Sequence, residues 1–295
     1  MDVANLQTRR FHPIRLEGAE GEPKQLNAAA ALWTRSKSEI TEQQYTEFYH
    51  HVGHGFDEPW STLHFRAEGV IEYTGLLFIP SMRPFDLFDP DRRSHVKLYV
   101  KRVFITDDCS ALVPSWLRFL RGVIDSEDLP LAISREMLQT SPVLAKIKAG
   151  LVKRVLSEIE KKAKDEEQKE AYETFWQNFG PVLKEGIYED AGQRDPLLAL
   201  ARFRSIGQDG WISLADYVAK MPEGQEAIYY IAGEDAEALK RSPQIEGFKA
   251  KGIDVLLMTD PVDEFWIPHV SQFEGKLFKS VTQGSADLSA IKAKD

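Results

Sequence analysis

Cysteine is nearly absent from this sequence: Cys109 is the single one in 295 residues. One thiol excludes an internal disulfide and any structural zinc site built on thiolates. No apolar run approaches the roughly 20 residues of a membrane-spanning helix, and no signal-peptide pattern follows Met1. Positive charge is also scarce, with 37 Lys and Arg against 46 Asp and Glu and a formal net charge of -9. Broad nucleic-acid binding relies on many phosphate-neutralising cations, so this balance argues against it and leaves room only for a local basic site. The common catalytic signatures are missing as well. G-x-x-x-x-G-K-[ST], a strand followed by G-x-G-x-x-G, H-E-x-x-H and G-x-S-x-G do not occur, and there is no internal repeat. The expectation is a cytoplasmic protein that uses neither membrane nor nucleic acid and holds no self-contained catalytic constellation.

What is present is an ordinary globular balance, 43% hydrophobic and 28% charged, with length for about two domains. Residues 1–26, which include a basic RRFHPIR patch, show no sustained period and read as a flexible leader or linker remnant. Residues 27–142 mix helices and strands. TEQQYTEFYHHV has helical spacing with Thr41 as cap and Tyr45, Phe48, Tyr49 and Val52 on one side. Leu63 to Pro80 reads as two strands around Glu68-Gly69, Val96 to Thr106 as one further strand, and Ser115 to Gly122 as a short helix. Residues 143–206 read as a helical bundle. Leu144, Ile147, Leu151, Val155 and Ile159 form one stripe, Phe175, Phe179 and Leu183 a second, and Asp195-Pro196 starts a third helix through Phe203. Residues 207–295 return to an α/β pattern, with buried strands at Gln225 to Gly233 and Ile253 to Asp260 around a helix broken by Pro243. That spacing describes a parallel βαβ unit.

Few residues stand out chemically. His50, His51 and His54 include an i, i+4 pair that could ligate a metal, but no third ligand is identifiable, and a polar helix end is the expected reading. Asp86, Asp89 and Asp91 lack the Gly and terminal Glu of a calcium loop and fit a surface loop. The ring of Trp33 and those of Phe265 and Trp266 in DPVDEFWIPHV are either core or an exposed partner surface. In DSEDLPLAISREMLQ, Ser134 is a good N-cap, so Arg135 becomes the first residue of a helix whose end already carries partial positive charge. A cation is a poor choice there for helix stability. Gln139 leaves the same helix face, so the pair either holds an anion or is a surface arginine with a local acidic partner.

Taken in order, ALWTRSKSEIT, LLFIPSMRPFDLF, VKLYVKRVFITDD, WLRFLRGVIDSEDLPLAISREMLQ, YETFWQNFGPVLKEGIYED, SLADYVAKMPEGQEAIYYIAG and GIDVLLMTDPVDEF closely resemble the middle segment of the heat-shock protein 90 chaperones, in their bacterial form. The resemblance runs from about Asn27 nearly to the end. It implies a large α/β subdomain of the ribosomal protein S5 domain 2 type, a small helical bundle and a smaller α/β subdomain, in agreement with the three segments above.

The resemblance also implies roles. A separate N-terminal domain binds ATP and Mg, a C-terminal domain dimerises the chain, and unfolded or partly folded clients are bound. This sequence then corresponds to a middle-domain piece with no cofactor or metal of its own and no ATP hydrolysis alone. Arg135 matches the arginine, and Gln139 the glutamine, of a catalytic loop that reaches the γ-phosphate. Phe85 and Leu87 in RPFDLF match a loop that docks on the N-terminal domain. Trp33, Phe265 and Trp266 match client-contacting aromatics, although the order Asp-Glu-Phe-Trp leaves two rings as candidates for one contact. The alternative is a transducer domain of a DNA-processing ATPase, which the acidic balance and the SREMLQ motif disfavour.

Overall fold

The computed structural model describes residues 31–53, 55–90, 92, 94–283, 288 and 291, and the backbone of 15–16 and 24–25; at Arg135 it describes the backbone. Most of the leader, with its RRFHPIR patch, lies outside the described residues; within it, β1 (Arg15–Leu16) pairs antiparallel with β2 (Lys24–Gln25). The chain divides into two compact units, Met1–Val155 and Leu156–Asp295.

In the first unit, α1 (Glu42–Gly53) starts where its sequence says it should. Thr41 Oγ1 accepts from the Gln44 N–H at 3.2 Å, and the Gln44 side chain accepts from the Thr41 N–H at 3.0 Å, a reciprocal cap that satisfies two otherwise orphaned donors. Its Tyr49 and Val52 are buried with Trp33, Leu76, Phe78, Tyr99 and Val123. Trp33 comes from a 3₁₀ turn, Leu32–Thr34, and the other four from one face of a five-stranded sheet made of β3 (Pro59–Ala67), β4 (Tyr73–Pro80), β5 (His95–Val100), β6 (Val103–Thr106) and β7 (Arg121–Ser126), in the order β3-β4-β7-β5-β6. Only β5 and β7 run parallel; the other pairs are antiparallel.

Two expectations are corrected here. The segment Val96 to Thr106 is a hairpin rather than one strand, turning at Lys101 and Arg102 with φ of 49° and 65°. These non-glycine residues are held in the left-handed region by β7: the Lys101 N–H donates to the Ser126 carbonyl at 3.0 Å and the Arg102 N–H to Asp125 Oδ1 at 3.1 Å. The helix expected over Ser115 to Gly122 is only a 3₁₀ turn, Ser115–Leu117, and Arg121-Gly122 already belong to β7. Strand β7 is buried at all its positions, so it has no alternation for a pattern search to find. Gly122 has φ of 132°, and a Cβ there would lie 2.1 Å from the Leu76 carbonyl oxygen. The glycine is what lets β4 and β7 approach.

The helices α2 (Arg135–Thr140) and α3 (Pro142–Ala163) follow, each opened by a serine. Within this unit α3 lies against β3 and β4, where Gly150 meets the Tyr73 hydroxyl and the Arg154 guanidinium sits 4.5 Å from the centre of the Phe65 ring.

In the second unit, α4 (Lys169–Glu189) carries the buried Phe175, Phe179 and Leu183, as its stripe predicts. The next helix, α5 (Arg194–Leu200), begins before Asp195 and ends before Phe203, which lies in β8 (Arg202–Ser205). Asp190 caps the preceding turn through the Gly192 N–H at 3.1 Å and the chain runs directly into α5, so Asp195 occupies the first turn, where a carboxylate is favourable, instead of the cap. Then come β9 (Ile212–Ser213) and α6 (Leu214–Ala219), where the Ser213 and Asp216 side chains form the expected cap. Strand β10 (Ala227–Ala232), α7 (Ala236–Lys240), α8 (Glu246–Ala250) and β11 (Leu256–Met258) form the expected parallel βαβ unit. The chain continues through α9 (Asp263–Trp266), β12 (Gln272–Phe273) and β13 (Lys276–Ser280), giving the sheet order β12-β13-β10-β11-β8-β9. Ile245 and Phe248 pack on Tyr229, Ile231, Val255 and Leu257 as its core. No helix among the described residues is long and apolar enough to cross a membrane.

Candidate functional site

The loop carrying Arg135 is anchored at its base and exposed along its length. Where β7 ends, Ser126 Oγ accepts from the N–H groups of Asp128 and Leu129, both at 3.2 Å, and Leu129 is buried. Asp128 in turn accepts from the Glu72 N–H. Pro130, Leu131, Ala132 and Ser134 are exposed. Ser134 has an extended backbone and its side chain accepts from the Met137 N–H at 3.3 Å, which makes Arg135 the first residue of α2. Leu138 is the buried anchor of this short helix, and Gln139 is exposed beside it. Leu138 and Gln139 line a hollow of about 100 Å³ with Asp108, Cys109, Ser110 and Ala111. Burial pushes the Cys109 thiol above its ordinary pKa, so it behaves as packing.

The turn that holds Phe85 and Leu87 is built on Asp86 and on two charges distant from it in sequence, Asp57 and Arg118. Asp57 Oδ2 accepts from the N–H groups of Ser81 and Met82 at 3.1 and 3.2 Å, while its Oδ1 accepts from the Tyr49 hydroxyl at 2.8 Å. Asp86 pairs with Arg92, and Arg118 Nε donates to the Leu87 carbonyl at 2.7 Å. On this frame Phe85 is fully exposed and Leu87 is fully buried. Of this pair, Phe85 leaves its side chain at the surface and Leu87 lies beneath the turn. Asp86 thus serves an ion pair, and Asp91 lies outside the described residues. His50 Nε2 contacts the Asp57 carbonyl at 2.9 Å at a polar helix end, and His54 lies outside the described residues.

The aromatic candidates divide. Trp33 is 6% exposed, and its Nε1 donates to Asp125 Oδ2 at 2.8 Å. Trp266 is fully buried, its Nε1 donating to Asp263 Oδ1 at 2.7 Å. Indole rings are large apolar bodies with one donor, and a buried carboxylate accepting from that donor satisfies both requirements. Phe265 is 58% exposed instead and lies beside exposed Tyr188, with ring centres 6.4 Å apart, while His269 is 5.1 Å from the same Tyr188 ring.

Beneath that surface lies a buried charge cluster that sequence reasoning missed. Lys184 Nζ donates to Asp263 Oδ1 at 2.8 Å and Asp260 Oδ2 at 2.9 Å. Burial lowers the Lys184 pKa, but Asp263 and Asp260 more than offset it, and the net direction is upward. The cluster ties α4 to the segment that presents Phe265. Its partners are 76 and 79 residues apart in sequence, so no local motif announces it.

The fold is that of a middle domain of the heat-shock protein class. The solved middle domain of a Plasmodium falciparum heat shock protein matches with a TM-score of 0.75 and 32% identity, covering 86% of this chain and all of that one. The chain belongs to the Hsp90 protein family, whose model matches residues 15–295, and is the middle-domain segment of the bacterial HtpG type. It is 62% identical to the chaperone protein HtpG of Paramagnetospirillum magneticum over 95% of its length and 59% identical to that of Rhodospirillum rubrum, also over 95%. It spans 45% and 44% of those relatives.

Proposed function

We propose that this segment serves an ATP-dependent chaperone of the cytoplasm, supplying Arg135 to a nucleotide held by an N-terminal domain and Phe265 to a client-binding surface. ATP with its Mg is the substrate of the joined protein, and a C-terminal domain dimerises it. The observation that carries the reading is the placement of Arg135 by the Ser134 cap at the tip of an exposed, base-anchored loop. A guanidinium is permanently charged, and its fork of donors fits phosphate oxygens. Brought to the γ-phosphate it stabilises charge as the phosphoryl group leaves, while Gln139 on the same helix contributes a neutral hydrogen-bonding group. Exposed Phe85 supplies an apolar contact for the nucleotide-binding domain.

In the full-length chaperone, Arg135→Ala is expected to lower ATP turnover by on the order of 10³, as for other trans-acting arginines, with the fold retained by circular dichroism. Wild-type turnover in this variant would remove Arg135 from the reaction.

The client role rests on the exposed Phe265 and Tyr188 rings, with Trp33 and Trp266 supporting the surfaces from within. Chemical-shift mapping with an unfolded client is expected to perturb Phe265 and Tyr188, and Phe265→Ser to weaken binding severalfold. Shifts confined to other surfaces would rule the patch out.

A further inference from the structure

Arg92 makes a further site, beyond the nucleotide and client roles. Its side chain is 2% exposed. One end of the guanidinium pairs with Asp86, and Nε donates to the Arg118 carbonyl at 3.4 Å. Nη2 is buried with no hydrogen-bond partner among the described residues. A buried guanidinium donor without an acceptor costs several times what an ordinary hydrogen bond contributes, so such a group implies an acceptor still to come. Burial lowers its pKa from the ordinary arginine value, opposed by Asp86 and helped by Arg121 and Arg118.

Arg92 lines a cleft of about 410 Å³, within the range of small-molecule sites. Phe88, Val113, Pro114 and Leu120 supply an apolar wall, and Ser94 and Ser110 supply hydroxyls beside Arg92 and Arg118. Arg118 is fixed at the mouth: it donates to the Leu87 and Ser115 carbonyls at 2.7 and 3.0 Å, and its Cζ lies 5.5 Å from the centre of the Phe88 ring. The cleft also holds two carboxylates, Asp89 and Asp108. Among the described residues Arg92, Arg118 and the neighbouring Arg121 meet three carboxylates, Asp89, Asp108 and the Asp86 already paired with Arg92, which leaves no surplus for a dianion, while the one unmatched donor of Arg92 fits a monoanion.

We propose that this cleft binds a small monoanionic carboxylate with an apolar body, its oxygens on Arg92 and its body on the wall formed by Phe88, Val113, Pro114 and Leu120. Asp108 and Ser110 also line the hollow under Leu138 and Gln139, so the ligand sits next to the segment on which the Arg135 helix rests.

Calorimetric titration of the 295-residue chain with benzoate and with phenyl phosphate tests the assignment. Benzoate is expected to bind in the submillimolar range and phenyl phosphate, a dianion near pH 7.5, at least threefold more weakly. Arg92→Gln is expected to weaken benzoate at least tenfold. Asp108→Asn, at an exposed position, removes one opposing charge and is expected to tighten both ligands, phenyl phosphate more. If Arg92→Gln fails to fold, Asp108→Asn decides the matter alone. Absence of benzoate binding, tighter binding of phenyl phosphate by the wild type, unchanged affinity in a folded Arg92→Gln, or no response to Asp108→Asn would each overturn the proposal.

Discussion

His64 shows how a single side chain is committed by its neighbours. It is nearly buried, with Nε2 3.0 Å from the Trp33 carbonyl and Nδ1 2.7 Å from the Tyr45 hydroxyl. A carbonyl only accepts, so Nε2 carries the proton and Nδ1 accepts from Tyr45: the neutral imidazole satisfies both partners. Burial lowers its pKa below the ordinary 6.5, aided by Lys37 and only partly opposed by the Trp33 carbonyl. In the unfolded chain the ring takes up a proton near 6.5 while the folded ring stays neutral, so stability is present above that pH and is lost as pH falls below it. The urea midpoint is therefore expected to drop between pH 7.5 and 5.5 by more in the wild type than in His64→Gln. Equal drops would show that His64 does not contribute to the acid sensitivity.

Among the elements, the most constrained is β7. It pairs with both β4 and β5, and its Asp125 accepts from Trp33 Nε1 on one side and the Arg102 N–H on the other. Gly122 in its second position lies so near Leu76 and Leu77 that any side chain must force β4 away. Gly122→Ala is expected to cost on the order of 3 kcal/mol or more, from backbone strain plus the clash. Gly69 also has positive φ, but its Cβ position has nothing within 4 Å. Gly69→Ala should then cost only the strain, and chemical denaturation compares the two variants. Equal costs would mean that close approach of the strands is not what selects the glycine. Helix starts lie at the other extreme. Thr41, Ser134 and Ser213 were legible in the sequence because each cap closes within three residues. The hairpin turn at Lys101-Arg102 was not, because its partners, Ser126 and Asp125, belong to a strand more than 20 residues away.

For the whole molecule, the proposed chemistry requires parts beyond this segment, which spans under half the length of its HtpG relatives. Arg135 has a phosphate to act on only when a nucleotide-binding domain presents one. Mixing this chain with a separately produced HtpG N-terminal domain is expected to raise ATP turnover, and the Arg135→Ala chain to give no increase. Equal stimulation by both chains would assign the effect to docking, for which exposed Phe85 is the contact offered here. The net charge of -9 is also a property of the whole chain and disfavours the DNA-processing alternative, whose partners call for a basic face.

By itself the sequence determined the alternation of α/β, helical and α/β segments, the capped arginine at the start of its helix and the family, because these depend on periodicity, local hydrogen bonds and ordered motifs. Only the tertiary structure decided which aromatic rings are available and which charges are buried. Trp33 and Trp266 can lie within the fold because Asp125 and Asp263 satisfy their donors, whereas Phe265 lies half exposed beside Tyr188. Burial, together with ion pairs such as Lys184 with Asp263 and Arg92 with Asp86, is set by residues far apart in the chain. Nothing in the local spacing encodes it.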